Sequence, residues 1–546
     1  MPQPAYRETP PVVSDAILRR HRARVLDPAR AAQPTASRRI ELNEGKQDPL
    51  APIDYRPTAY VGDELLVDAS IVDELITFVD EENEDNNRKP GDLKVRLVPN
   101  EVDLEIARRR GREQSTSVRA AIRAIADDAT TLPPDAFTFL QRIRNANAKL
   151  GAGVSLNHLL IGATVSGTTF NSGVTFNSGV TFNSGVATGP FEYSVPGWGG
   201  RAPVEWLGDP PPRTSISRQP VVAIIDTGVA DHDWLPPDIV HRMVLNEASR
   251  QVEDDASFTG PGSPSDLGKE VVPNLIDPLE GLIDPFFGHG TFIAGLLRQG
   301  CPDANIVSIQ AMAPDGVIEE AALLSTLDFL IDRQHAAQRS GGDPQLATDV
   351  LSLSLGYYHE EPEDQLSDDP LRSRLDELRS SGILVVAAVG NDSTARPFYP
   401  AAFTDFRSGQ LPSGASGGPP LISVGALNPD RSVALFSNGG DWVAGLSPGA
   451  ALVSTLPLVN AGAQASTALG NPPGPGKVAT TWRSTLDPDS YTGFGTWSGT
   501  SFAAPVTAAA LLSELCSASD IADVSPGAAV DRAMVALTAL DFPLTR

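Results

Sequence analysis

The chain predicts an α/β fold: a doubly wound, mostly parallel sheet flanked by helices, preceded by a small α+β unit. Two observations point there. From about residue 218 onward, nearly continuous apolar runs alternate with helix-period stretches, as strands buried on both faces do. Between 58 and 165, shorter strand-like and helix-like segments mix in a unit with its own apolar pattern. With 41% hydrophobic and 20% charged residues over 546 positions, the chain can bury a large core in more than one folding unit.

Residues 1–57 are rich in Pro, Arg and Ala without a sustained period, which predicts a disordered or extended tail. Its cluster Arg19, Arg20, Arg22 and Arg24 reads as a solvated helix turn. In the unit at 58–165, residues 60–67 (YVGDELLV) read as a strand and 71–79 (IVDELITFV) as a helix. The acidic run at 80–85 reads as a solvated loop, and 93–98 (LKVRLV) as a half-buried strand. Residues 117–126 (SVRAAIRAIA) read as an amphipathic helix. Pro133, Pro134 and Asp135 open another helix that Gly151 would stop, and 154–160 (VSLNHLL) is a last strand.

At 166–217 the hexapeptide TFNSGV occurs three times in tandem, followed by a Pro/Gly-rich linker. Three rungs are too few to bury much, so a connector is expected. In the domain at 218–546, PVVAIID (220–226), NIVSIQAM (305–312), DVLSLSLG (349–356), ILVVAAVGN (383–391) and LISVGAL (421–427) read as buried strands. EEAALLSTLDFLIDRQ and LRSRLDELRSSG between them carry leucines at helical spacing, and Gly382 ends the second. Sheets of this kind hold their chemistry at the carboxyl ends of the strands.

A formal net charge of -26 argues against nucleic acid and anionic membrane surfaces as partners. The two cysteines, Cys301 and Cys516, exclude a disulfide scaffold and read as buried thiols. The N-terminal segment lacks a signal-like apolar stretch, and no run approaches the roughly 20 apolar residues of a membrane span. A cytoplasmic protein is the expectation.

Four residues fall where chemistry belongs. Asp226 ends the first apolar strand, in AIIDTGV; His289, in FGHGTFIAGLL, sits at a helix start. Ser501, in SGTSFAAPVTAAALL, lies in the first turn of a helix, and Pro505 is expected to be tolerated there. Asn391 ends the strand ILVVAAVGN. A serine hydroxyl needs a base to become a nucleophile. Imidazole suits that task near neutral pH, and a carboxylate fixes its tautomer. An amide NH₂ beside the serine N–H can hold an oxyanion.

AIIDTGV, GHGTFIAG, AAVGN and GTSFAAP resemble the four signature segments of the subtilase family of serine peptidases, and the order Asp, His, Ser is the subtilisin order. SVALFSNGG and SPGA match further landmarks, and the resemblance covers roughly 218–530. It implies a subtilisin-like serine endopeptidase with Asp226, His289 and Ser501 as catalytic triad and Asn391 in the oxyanion hole. Ser354, Leu355 and Gly356 would pair with a peptide or protein substrate as an added strand. Ala388, Val389 and Gly390 would line the wall of the P1 pocket, with Asp392 near its mouth. Catalysis would need no cofactor; structural calcium is common in the family, but no metal residue is assignable here. The 58–165 unit resembles a subtilase propeptide by position and size, which implies a self-processing zymogen with its own N-terminal domain as intramolecular inhibitor, cut somewhere between 160 and 217. The stretch between Asp226 and His289 is about twice as long as in compact members, and Val506 stands where many have His. The rival reading is a catalytically silent binding protein that keeps the fold.

Overall fold

A computed structural model describes residues 13, 15–27, 55–84, 94–110, 116–125, 133–163, 200–205, 207–214, 216–254, 275–277, 282–361, 369–407, 410, 417–460, 467–469, 482–484, 490–518 and 520–540. The TFNSGV repeats lie outside the described residues, as does most of the insert at 251–281.

The N-terminal unit is built on strands β1 (Ala23–Val25), β2 (Ala59–Asp68), β3 (Val95–Pro99), β4 (Ser117–Ala124) and β5 (Val154–Gly162). β2 lies between β4 and β5, and β3 pairs with the far side of β4, all antiparallel. Helices Val72–Glu84 and Ala136–Ala146 bury Leu75, Val79, Phe137, Leu140 and Ile143 against this sheet.

Four local expectations change. Residues 117–124 form a strand, not a helix: Val118, Ala120 and Ile122 alternate inward, a period of two that pairing on both edges exploits despite the alanine-rich sequence. Most of the acidic run belongs to the helix Val72–Glu84 instead of a loop. The helix opened by Asp135 breaks at Asn147, whose side chain caps a second one, Ala148–Ala152. Two stretches of the tail have regular structure: Asp15–Arg20 is helical and β1 pairs with β2. Its arginines meet acids, Arg20 with Asp315 (2.6 Å) and Arg24 with Asp135 (2.6 Å). The first residues of β2, which β4 does not reach, supply backbone partners that composition alone does not reveal.

The larger domain is the expected doubly wound sheet. Its eight strands run in the order Gly445–Pro448, Ile422–Leu427, Leu384–Ala388, Val350–Leu353, β6 (Val221–Asp226), Asn305–Gln310, Val240–Asn246, Gln251–Asp254. All pairs are parallel except the last. Every residue of β6 is buried, which is why its sequence shows no alternation. Strands that follow β6 in the chain lie on both sides of it, so a crevice opens at its carboxyl end. The helices His289–Gly300, Glu320–Gln338, Pro370–Ser380 and Thr500–Cys516 flank the sheet. Cys301 and Cys516 are free thiols with sulfurs 3.7 Å apart. Among the described residues, no helix is long and apolar enough to cross a membrane.

The two units share a sheet. The first half of β5 pairs with β2, while its last residues enter the larger domain. There they lie antiparallel between Val317–Glu319 on one side and Leu355–Gly356 on the other.

Candidate active site

Asp226 sits at the carboxyl end of β6 and is held by its neighbours. The Thr227 N–H donates to Oδ1 (2.8 Å), and the Thr227 hydroxyl in turn accepts from the Gly290 N–H (3.1 Å). The His289 Nδ1–H donates to Asp226 Oδ1 (2.8 Å) and Oδ2 (3.0 Å). That bond fixes the tautomer and leaves Nε2 as the acceptor nitrogen. The two elements can approach this closely because residue 290 is glycine: a Cβ there would lie 2.1 Å from the Gly228 carbonyl oxygen. The imidazole is fully buried and ringed by Phe286, Trp497 and Phe502, with centroids 5.3, 5.7 and 5.4 Å away. Its Nε2 has no hydrogen-bond partner among the described residues.

Ser501 lies in the first turn of its helix, but its hydroxyl does not point its bond at His289. It donates to the Ser354 carbonyl (3.0 Å), so the hydrogen-bonded row expected from the sequence is only half made. Catalytic hydrogen bonds of this kind commonly tighten only with a reacting substrate. Pro505 lies inside the helix, beyond the first turn where the sequence reading put it. Its missing N–H leaves the Ser501 carbonyl without a helical donor, and the Ser354 hydroxyl fills that role (2.8 Å). Asn391 Oδ1 accepts from the Thr500 N–H (2.9 Å), which anchors the side chain beside the serine. Its Nδ2 is buried with no partner among the described residues.

The cleft holds the chain's own residues 159–163. The Ala163 N–H donates to the Ser354 carbonyl (2.9 Å), and the Gly162 N–H donates to the Gly316 carbonyl (2.9 Å). Gly162 and Ile161 stand opposite Leu355 and Gly356 in register. The Ser501 N–H donates to the Ala163 carbonyl oxygen (2.8 Å). Ser354, Leu355 and Gly356 thus meet an added strand, supplied by β5. Ala388 and Val389 are fully buried at the end of their strand, and the Gly390 N–H donates to Thr500 Oγ1 (3.1 Å). The Asp392 carboxylate accepts from the Tyr358 hydroxyl (2.6 Å).

A second polar cluster lies where β5 meets the larger domain. His158 Nδ1 bonds Glu320 (2.6 Å) and Nε2 bonds Glu360 (2.8 Å), all three side chains buried. Burial disfavours the imidazolium, yet Glu360 and Glu320 outweigh it and raise the His158 pKa from 6.5 to about 10. His359 beside it is pushed down to about 3, by burial first and by the His158 charge. Among the described residues, His158, His359 and Glu360 are the one group with metal-ligand chemistry, their atoms within 4.8 Å of one another. Both nitrogens of His158 already hold carboxylates, so the cluster reads as an ion-pair network. Asn157 completes the seam by donating to Glu64 (2.9 Å) and accepting from the Ala321 N–H (3.0 Å).

Sequence reasoning missed Ala163, His158, Glu320 and Glu360. The one legible signal was a polar pair, Asn157-His158, inside an apolar strand.

A family model described as the subtilase family matches residues 217–520, more than half of the chain. The chain belongs to the subtilase family. A thermophilic serine proteinase of Bacillus sp. (strain AK1) is 27% identical over 240 residues, 43% of this chain and 45% of that protein. Subtilisin E of Bacillus subtilis (strain 168) is 25% identical over 233 residues, 39% of this chain and 52% of that protein. The major intracellular serine protease of the same strain is 23% identical over 273 residues, 47% of this chain and 66% of that protein. The chain spans about half the length of the first two of these subtilases.

Proposed function

We propose that this subtilase is a serine endopeptidase made as a self-processing zymogen, with its N-terminal unit seated in its own cleft as inhibitor. Ser501 is the nucleophile, His289 the general base and acid, and Asp226 the group that orients it. One observation carries the reading: the nucleophile's own N–H binds the Ala163 carbonyl oxygen at 2.8 Å, while Asn391, bonded through Oδ1 to the adjacent Thr500 N–H, keeps its NH₂ without a partner among the described residues. That is the position a scissile carbonyl takes in an oxyanion hole.

Turning from the Ser354 carbonyl, the Ser501 hydroxyl loses its proton to His289 Nε2 as Oγ bonds the carbonyl carbon. The oxyanion gathers on the oxygen held by the Ser501 N–H, and the uncommitted Asn391 NH₂ is the second donor that the developing charge draws in. Collapse breaks the C–N bond, and His289 returns the proton to the leaving amine. Water repeats the cycle and frees the acid. For the chain's own first cut, the bond broken is Ala163–Thr164. The product then keeps Ala163 in place through the β5 pairing and the seam around His158, which supports an inhibitor role.

A fluorophosphonate probe tests the chemistry, since only an activated serine reacts. The full-length chain is expected to label at Ser501 and to cleave casein, and Ser501→Ala to do neither. Equal casein cleavage by a clean Ser501→Ala preparation overturns the assignment.

A further inference from the structure

An aromatic ring lies against the segment that pairs with the end of β5. Phe398 is 5% exposed, and its ring lies between the backbones of Gly356 and Gly390. A Cβ on Gly356 would meet Phe398 Cε1 at 2.3 Å and Cδ1 at 2.7 Å. A Cβ on Gly390 would meet the same Cδ1 at 3.2 Å. Gly356 stands opposite Ile161 in the β5 pairing, two residues before Ala163, and Gly390 immediately precedes Asn391. Here the protein itself fills the space between the two backbones.

The ring is fixed from several sides. Tyr399, next in sequence, exchanges backbone hydrogen bonds with Tyr357, both at 2.8 Å. The Ala402 N–H donates to the Phe398 carbonyl (2.8 Å). Tyr358 packs edge-on against the ring with centroids 5.1 Å apart. The Tyr358 hydroxyl is itself tied down, donating to Asp392 (2.6 Å) and accepting from Asn438 Nδ2 (2.8 Å). Moving Phe398 aside therefore means breaking a packed and hydrogen-bonded corner, not turning one loose side chain.

We infer that Phe398, backed by Tyr358, fills the P1 pocket and restricts this chain to cutting after small side chains such as alanine, serine and glycine. The inference rests on the peptidase reading and deepens it by naming the substrate class. The occupant of the cleft agrees: the residue whose carbonyl meets Ser501 is an alanine. It also gives Asp392 a positional role, since its carboxylate is spent on Tyr358 and not left for a basic P1 residue.

The test uses the full-length chain, its active sites counted with a fluorophosphonate probe, and tetrapeptide amides identical except at P1. Alanine and serine are expected to exceed leucine, phenylalanine and lysine by about 10–200-fold in kcat/KM, the range that pocket fit can supply. Phe398→Ala is expected to narrow or reverse that ratio for leucine and phenylalanine. The same exchange appears in cis: Ala163→Phe stops the self-cut in the parent chain and Phe398→Ala restores it. A labelled enzyme that cuts after phenylalanine or leucine as fast as after alanine overturns the inference and leaves the peptidase reading intact. Labelling without cleavage of any small-P1 peptide overturns it as well. Absence of both labelling and cleavage defeats the peptidase reading, and this inference with it. The parent's P1 profile decides the question even if Phe398→Ala fails to fold.

Discussion

His289 and His158 are both buried against carboxylates, and they differ at one nitrogen. His289 gives Nδ1–H to Asp226 and keeps Nε2 unpartnered among the described residues. His158 has a carboxylate on each nitrogen, Glu320 and Glu360. One carboxylate orients an imidazole and leaves it a base. Two carboxylates in a low-dielectric seam turn the same ring into a standing cation. The first arrangement suits proton transfer, the second holds two pieces of chain together. The difference fits the first site for the chemistry proposed for it, and the second, further back along β5, for fastening that strand in place.

Substitutions at the two histidines should therefore separate. The largest effect is expected from His289→Ala, a loss of about 10⁶-fold in kcat, the scale found when the corresponding group is removed from subtilisin itself. The seam should persist in that variant, so its melting temperature stays close to that of Ser501→Ala. A His289→Ala chain that still turns over peptide at a tenth of the parent rate breaks the comparison. Next comes His158→Gln, made in the Ser501→Ala background so that the chain stays whole. It leaves Glu320 and Glu360 buried without their cation, at a cost of about 3–5 kcal/mol. Calorimetry should show an earlier, separate transition for the N-terminal unit. An unchanged melting profile denies His158 its fastening role.

Asn391→Ala sharpens the catalytic half. If its Nδ2 is the second oxyanion donor, as proposed, a loss of about 10²–10³ in kcat is expected, the size known for such a donor in subtilisin. KM should hardly move, since the interaction belongs to the transition state. A pure KM effect would place Asn391 in substrate binding instead.

The smallest and most gradual effect is with pH. His158 is raised from 6.5 to about 10 in the folded chain, so its stabilisation is whole below about 6.5 and fades as pH rises through about 10. The groups facing it are Glu320, Glu360, His359 and Tyr357, with Arg144 paired to Glu361 and Asp369 bonded to Tyr357 close behind. The melting difference between Ser501→Ala and its His158→Gln derivative should be largest near pH 6 and shrink toward pH 10. A difference that grows with pH contradicts the sign.

The positions of the proposed catalytic residues were legible because each follows an apolar strand or opens a small-residue helix, so local patterns carry them. Asp226 follows VVAII, Asn391 follows LVVAAVG, and glycines precede His289 and Ser501. The parallel sheet was legible for the same reason: strands buried on both faces need no knowledge of their neighbours. What stayed hidden depends on distant partners. His158 is an odd residue in an apolar strand until Glu320 and Glu360 arrive from more than 160 positions away. Ala163 is an unremarkable small residue until the sheet carries it to Ser501. Phe398, in RPFYP, reads as a loop aromatic until two glycines are seen on either side of its ring. The strand at 117–124 was lost to its alanines, because helix propensity is local and strand pairing is not.

The central claim is that the Ala163 carbonyl lies in the oxyanion hole of an active serine. Terminal sequencing of the full-length chain after it has been allowed to process tests it most directly. The account predicts a new N-terminus at Thr164 in the parent chain, and none in Ser501→Ala. An active, fluorophosphonate-labelled enzyme whose residues 163 and 164 remain joined contradicts it.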